Sequence, residues 1–557
     1  MDLSEEQKQA DKLLEFTSVK KSAILHNLIE SCPLHKSIDV AEDVYKDTCI
    51  EDWCDKLPHL AGSKLLIKKI IRNPVNDIEL LLSRQKCYQR YNIDFTSLEE
   101  YEDDVLWIYK LDDELKDNNL VDILYPSTFI ISYLNYIEPI LECYHAYKIY
   151  YVPISAIVYP FMSMFAPLYY LNGYMKFNVS VKTYLNMLIK FVKMLFTFDH
   201  KCIKTNIIKV VTICAYMFLF AYNIYQTAEY SLMLYRIKSM INKKINNLNI
   251  FLKQATQIIN AVPNNIVQNF VKIEPISITN GVKYTNLYTI WKDQSIKDNI
   301  TKVLLNLYTI DIIHNVTNVS FLQNWCRAEY TNQTLIWNAK NPVLSPRQKA
   351  NPINLSKNII ITGPNAAGKT TYVKSILSNV ILSQTFGIAN AIKANFVIYD
   401  TIVSLMRITD ILGSRSYFET EAEYCRNMMN KAIDLSKNNK RGLFLMDEPM
   451  HSTPPTEGMS TAYAVAEFIG NLPNTSIILT THFHKLTLLE ANYPDTFINL
   501  SVEAIKQGNG FHFPYLIRPG FSYQCIAIDL LSSKEFPESV ISSAINMKNK
   551  ICDEIIR

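Results

Sequence analysis

Residues 358–371 read Asn-Ile-Ile-Ile-Thr-Gly-Pro-Asn-Ala-Ala-Gly-Lys-Thr-Thr. A β-prone run feeds directly into Gly363-Pro364-Asn365-Ala366-Ala367-Gly368-Lys369-Thr370, which fits the spacing G-x-x-x-x-G-K-[ST]. The next segment, TYVKSILSNVILSQ, has helical character. Strand, loop and helix in that order are what a phosphate-binding loop requires. Its glycines let successive backbone N–H groups curl round a phosphate, and the helix N-terminus adds partial positive charge. In this reading Lys369 reaches the β- and γ-phosphates of ATP, and the Thr370 hydroxyl ligates Mg²⁺. Thr371 completes the nucleotide-binding set.

Two more strands follow. Leu443-Phe-Leu-Met-Asp-Glu448 reads as a buried strand that delivers two carboxylates to the sheet edge where ligands collect. Asp447 is the expected Mg²⁺ ligand, directly or through water. Glu448 is the expected residue that orients or deprotonates the attacking water. Ser476 to Thr481 ends at His482, which is placed to contact the γ-phosphate, with His484 as the weaker candidate.

Outward from these strands the chain falls into four stretches. Residues 1–145 read as mostly helical, 146–228 are apolar and aromatic, and 229–330 return to long helical patterns. Residues 331–557 alternate short β-rich runs with helices, the pattern of a mostly parallel sheet. At 557 residues, with 48% hydrophobic and 20% charged, the chain has ample material for several domains and is not a disordered protein. A net charge of +3 gives no global field for nucleic acid, so any such surface is local. Eleven scattered cysteines without a Cys-x-x-Cys pair exclude a zinc ribbon and suit reduced thiols in an intracellular protein, nuclear or cytoplasmic.

Residues 149–175 and 210–228 carry no charge, and either is long enough to cross a bilayer. Against a simple two-span hairpin stand Pro153, Pro160 and Pro167, the polar Ser155, Ser163 and Asn172, and the lysines from Lys176 to Lys209. The simpler expectation is a buried helical subdomain with one basic, solvated face. Membrane insertion is the alternative.

Taken together, ITGPNAAGKTTYVKSILSNVILSQTFGIANA, SYFETEAEYCRNMM, LFLMDEPMHSTPPTEGMSTAYAVAEFI, TTHFHKL and YLIRPGFSYQCIAIDLL resemble, in order and spacing, the ATPase motifs of the MutS family. More weakly, HLAGSKLLIKKIIRNPVNDIELLLSRQKCYQRY and LLNLYTIDIIHNVTNVSFLQNWCRAEY resemble that family's helical core and its passage into the ATPase. The resemblance implies a multidomain fold: an α-helical core and lever region followed by an α/β P-loop NTPase domain of the ABC/MutS type. It implies that Gln384, in the turn from Gln384 to Gly387, belongs to the nucleotide site. It also implies that Ser416 and Glu421 face the nucleotide of an opposite subunit, in a homodimer or a heterodimer with another MutS-like subunit. ATP hydrolysis would drive clamp-like contacts to the DNA backbone in mismatch repair or recombination. The competing expectation is a membrane-tethered mechanical ATPase.

Some features depart from the family pattern. The chain starts almost at the core domain, so the amino-terminal mismatch-binding and connector domains are expected to be absent. The only Phe-x-Glu is Phe536-Pro537-Glu538, better read as a helix start than as a base wedge. Pro449, Pro454 and Pro455 replace a glycine-rich form of the loop after Glu448.

Overall fold

The computed structural model describes residues 15–114, 124–126, 132–195, 197, 203–263, 265–274, 283–406, 417–451, 454–507, 510–524, 526, 528–529, 531, 534 and 536–556. Two compact units form, and both are assembled from separated stretches of chain. One takes residues 1–27, 97–256 and 278–303; the other takes 28–96, 257–277 and 304–557. This division cuts across the four stretches drawn from composition.

The second unit holds the sheets. Its strands are β1 (Asp39–Val40), β2 (Cys326–Tyr330), β3 (Leu335–Ala339), β4 (Asn351–Asn354), β5 (Asn358–Thr362), β6 (Ile388–Ala389), β7 (Lys393–Phe396), β8 (Thr401–Leu405), β9 (Gly442–Asp447), β10 (Thr475–Thr481), β11 (Phe497–Val502), β12 (Ile505–Gln507), β13 (Gly510–His512) and β14 (Ile517–Pro519). A seven-stranded sheet runs β1-β8-β9-β10-β5-β11-β14, and only β14 is antiparallel to its neighbour. A five-stranded sheet runs β4-β3-β7-β2-β6. Every residue of β5 and β8 is buried, as expected for parallel strands with both faces covered.

The strand β1 lies inside the stretch expected to be mostly helical. Asp39 and Val40 pair in register with Thr401 and Ile402, covering the free edge of β8. Behind β1, helix α1 (Glu42–Thr48) buries Asp47, which accepts a hydrogen bond from the Ser404 hydroxyl at 2.8 Å. Helix α2 (Ile78–Lys86) carries Arg84 and Gln85 into the same unit.

In the first unit, α3 (Glu138–Ala146) continues through a π-helical turn (Tyr147–Tyr151) into α4 (Val152–Gly173). Then come α5 (Val181–Leu195) and the long α6 (Ile203–Asn260). Here a buried subdomain was expected, and the structure corrects this. Phe161, Met162, Tyr169, Tyr216, Met217 and Phe218 are all exposed. In the most apolar stretches of the two long helices, 6% and 0% of residues are buried.

Helix α7 (Lys369–Phe386) follows β5, and nearly every residue in it is buried. Helices α8 (Tyr417–Lys437) and α9 (Pro455–Gly470) flank β9 and β10. Phe444, Met446, Ile477 and Leu479 of the strands pack with Met428, Leu435 and Ile469 of these helices in one apolar core. Helix α10 (Glu538–Ile556) lies near the chain end, with Phe536-Pro537 leading into it as expected.

Candidate nucleotide site

Thr362 ends β5, and the chain turns at Gly363 with φ 147°. A Cβ there would lie 2.3 Å from the Val502 carbonyl oxygen, so only glycine fits. Gly368, at φ 100°, caps α7, and a Cβ on it would meet the Tyr515 ring at 3.0 Å. Ala366 also has a left-handed backbone, φ 64°, which costs about 1–2 kcal/mol for a non-glycine residue. The loop from Pro364 to Thr371 lines a cavity of about 540 Å³, joined by Glu448 and Tyr515.

Lys369 is 4% exposed, and its ammonium donates to the carbonyls of Gly363 at 2.9 Å and Pro364 at 3.4 Å. It also lies 3.5 Å from the Glu448 carboxylate. Burial pulls its pKa below the usual lysine range, and Glu448 opposes that fall. The Thr370 hydroxyl donates to Asp447 at 2.8 Å. The Thr480 hydroxyl holds the other oxygen of Asp447. The two expected Mg²⁺ ligands are therefore already in contact.

Glu448 sits just past β9 with φ 55°, its N–H donating to the Thr480 carbonyl at 3.0 Å. Its carboxylate is 2.7 Å from His482 Nε2, and the Asn365 side-chain oxygen is also 2.7 Å from that nitrogen. The Lys369 ammonium lies 3.2 Å from the same nitrogen, so Nε2 faces two oxygen acceptors and one donor. The His482 hydrogen bond and charge, with Lys369 adding to them, hold the Glu448 carboxyl down at about 2. His484 is turned away, its ring packed on Tyr523 at 4.7 Å, and burial lowers its pKa.

The site is fit for magnesium and a triphosphate on its donor chemistry. Thr370 and Asp447 offer hard oxygens on one side of a loop whose glycines leave room for close approach. Mg²⁺ characteristically takes one or two such protein ligands and fills the rest with phosphate and water. Among the described residues, no group of three or more His, Cys, Asp or Glu side chains could hold a metal by itself.

Two residues assigned from sequence make contacts within the chain away from the cavity. Gln384 is fully buried outside this cavity. Its amide donates to the carbonyls of Tyr399 at 2.9 Å and Val75 at 3.2 Å, and accepts from Tyr399 N–H at 3.0 Å. It ties α7 to its surroundings. Glu421, expected to face an opposite subunit, is 3% exposed and accepts from the Met450 N–H of its own chain. Ser416 lies outside the described residues. Tyr515, Thr480 and Asn351 are functional neighbours that the motif reading missed. Asn351 donates to the Tyr515 carbonyl at 2.9 Å and holds that aromatic at the cavity. Its only sequence signal was an aromatic in the loop after Pro514.

Comparison with known proteins places this geometry. The family described as MutS domain V matches residues 359–552. The DNA mismatch repair protein MutS of Microcystis aeruginosa is 28% identical over 268 residues, covering 45% of this chain and 30% of that protein. The MutS of Fervidobacterium nodosum is 28% identical over 264 residues, covering 46% and 31%. Residues 359–552 are a MutS domain V. The MutS of Pelotomaculum thermopropionicum is 30% identical over 193 residues, covering 34% and 21%. These alignments span about a third or less of the MutS relatives' own length. The MutS domain V match takes in the phosphate loop, both carboxylates and His482.

Proposed function

We propose that this chain is a magnesium-dependent ATPase of MutS type that works on DNA as a dimer, in mismatch repair or recombination. The observation that carries it is one cavity lined by Gly368, Lys369, Thr370 and Glu448, with Asp447 bonded to Thr370 and His482 to Glu448 beside it.

Loop N–H groups and Lys369 neutralise the phosphates, while Thr370 and Asp447 hold the metal. Held by Thr370 and Asp447, Mg²⁺ would supply positive charge to the phosphates. A water oxygen attacks the γ-phosphorus, the bond to the bridging oxygen breaks, and ADP leaves. With its pKa at about 2 and His482 and Lys369 upon it, Glu448 is a weak proton acceptor. Phosphate that draws His482 and Lys369 away frees Glu448 to position the water and take its proton. Asn365 and Ala366 are exposed, so one wall of the pocket is open to a second subunit. DNA as the partner follows from the relatives, which are DNA mismatch repair proteins. The test is ATP turnover with and without perfect, mismatched and branched duplexes. Absence of turnover in every case sinks the reading.

A second reading keeps this ATPase and makes it membrane-tethered. The exposed, charge-free helices at 149–175 and 210–228 favour it.

A further inference from the structure

Two borders frame the exposed apolar region. Within the first unit, α3 and α6 are held antiparallel. Lys238 pairs with Glu142, the Ser231 hydroxyl donates to the Ile149 carbonyl, and the Lys148 ammonium lies 5.9 Å over the Tyr230 ring. Lys148 and Glu229 mark the charged border at this level. Beyond them no charge occurs until Lys176 on one helix and Lys209 on the other. At 1.5 Å per residue these charge-free runs are about 40 and 28 Å long, against a hydrocarbon layer of about 30 Å.

Exposure in this region is not confined to one face. Tyr159, Phe161, Met162 and Met164 occupy successive directions around α4, and Tyr216 to Leu219 do the same on α6. A protein-docking helix would present one stripe; these present apolar groups all round. Three side-chain hydroxyls inside the band are satisfied within their own helices. The Ser155 hydroxyl donates to the Val152 carbonyl, the Ser163 hydroxyl to Pro160, and the Thr212 hydroxyl to Ile208, at 2.7, 2.7 and 2.8 Å. Pro160 and Pro167 stand inside a continuous helix, as membrane helices tolerate.

Helix α5 differs. At 100° per residue, Lys182, Thr183, Asn186, Lys190 and Lys193 fall within about 100° of arc, and the rest of the helix is apolar. Met187, Ile189, Phe191 and Met194 are exposed on that apolar side. The helix is moored to the end of α4. The Asn172 side chain bonds Val179 in both directions, at 2.6 and 2.8 Å, and the Tyr184 hydroxyl donates to the Met164 carbonyl at 2.6 Å. A basic amphipathic helix between two apolar ones is the pattern of an interfacial segment.

We infer that the charge-free stretches 149–175 and 210–228 embed in a lipid bilayer and that Lys182, Lys190 and Lys193 of α5 bind its anionic headgroups. The inference rests on the tethered reading and adds the lipid chemistry.

Two measurements on the full chain test it. Membranes of expressing cells are washed with carbonate, and the detergent-purified chain is incubated with equal amounts of phosphatidylglycerol and phosphatidylcholine before re-isolation. The expected result is carbonate resistance together with retained phosphatidylglycerol. The triple variant Lys182→Gln/Lys190→Gln/Lys193→Gln reduces that preference by roughly tenfold or more, since each surface lysine contributes about fivefold. Carbonate resistance with equal retention of both lipids, or retention unchanged in the variant, overturns the headgroup inference and leaves the tether standing. Release by carbonate overturns both. Loss of duplex-DNA binding in the variant, with lipid retention unchanged, assigns these lysines to DNA phosphates and overturns the inference.

Discussion

At the residue scale, the site separates binding from turnover. Lys369→Ala removes a buried, charge-assisted donor and is expected to weaken nucleotide binding tenfold to about a hundredfold, read by titration with a fluorescent nucleotide. Glu448→Gln keeps the shape and removes the base. Binding should persist while phosphate release falls by about 10²–10⁴-fold. Normal turnover in this variant would refute the role of Glu448. The same carboxylate makes a pH prediction. Its folded value, about 2, lies below its ordinary 4.5, so the stability it lends is complete above about 4.5 and disappears as pH falls through 2. The gap in melting temperature between the nucleotide-free wild type and Glu448→Gln should therefore narrow across that window. The loop, the paired carboxylates and His482 were legible in sequence because each lies at a strand end with its spacing intact. The fates of Gln384 and Glu421 were not. Both are polar residues spent on backbone partners, Tyr399 and Met450, whose positions only packing reveals.

At the element scale, α7 is held at both ends. Its first turn faces the cavity, and its last turn is capped from α2. Arg84 donates to the carbonyls of Thr385 and Asn269, Gln85 to Gly387 at 2.9 Å, and the Tyr88 hydroxyl to Phe386 at 2.7 Å. A cation at a helix C-terminus also opposes the helix dipole. Burial lowers the Arg84 pKa to about 10, which leaves it charged at neutral pH. Arg84→Ala should cost about 3 kcal/mol in denaturant unfolding, and Arg84→Lys should recover little because a compact ammonium lacks the separated Nε and Nη donors that reach Asn269 and Thr385. An unchanged unfolding midpoint would contradict this. Gly387 is fixed for a related reason: at φ 72° a Cβ would sit 2.8 Å from Gln85. Strand β1 escaped the sequence reading because a two-residue strand has no periodicity of its own. It forms because β8 offers an edge.

For the whole molecule, ATP-dependent pairing is the sharpest expectation. Glu448→Gln with ATP and magnesium should shift from monomer to dimer mass in light scattering, and ADP should not support the shift. The alternation of strands and helices announced the α/β domain. The distal helices could not be read in full, because composition reports how apolar a segment is and not what covers it. The second unit is gathered from three separated stretches, residues 28–96, 257–277 and 304–557. A nascent chain therefore leaves the ribosome with β1 and the α2 cap long before β8 and α7 exist, and must hold those early pieces unpartnered. For the same reason a fragment cut at residue 331 would lack the strand that closes its sheet and the arginine that closes its helix. Biochemists seeking an isolated motor should expect such a truncation to aggregate.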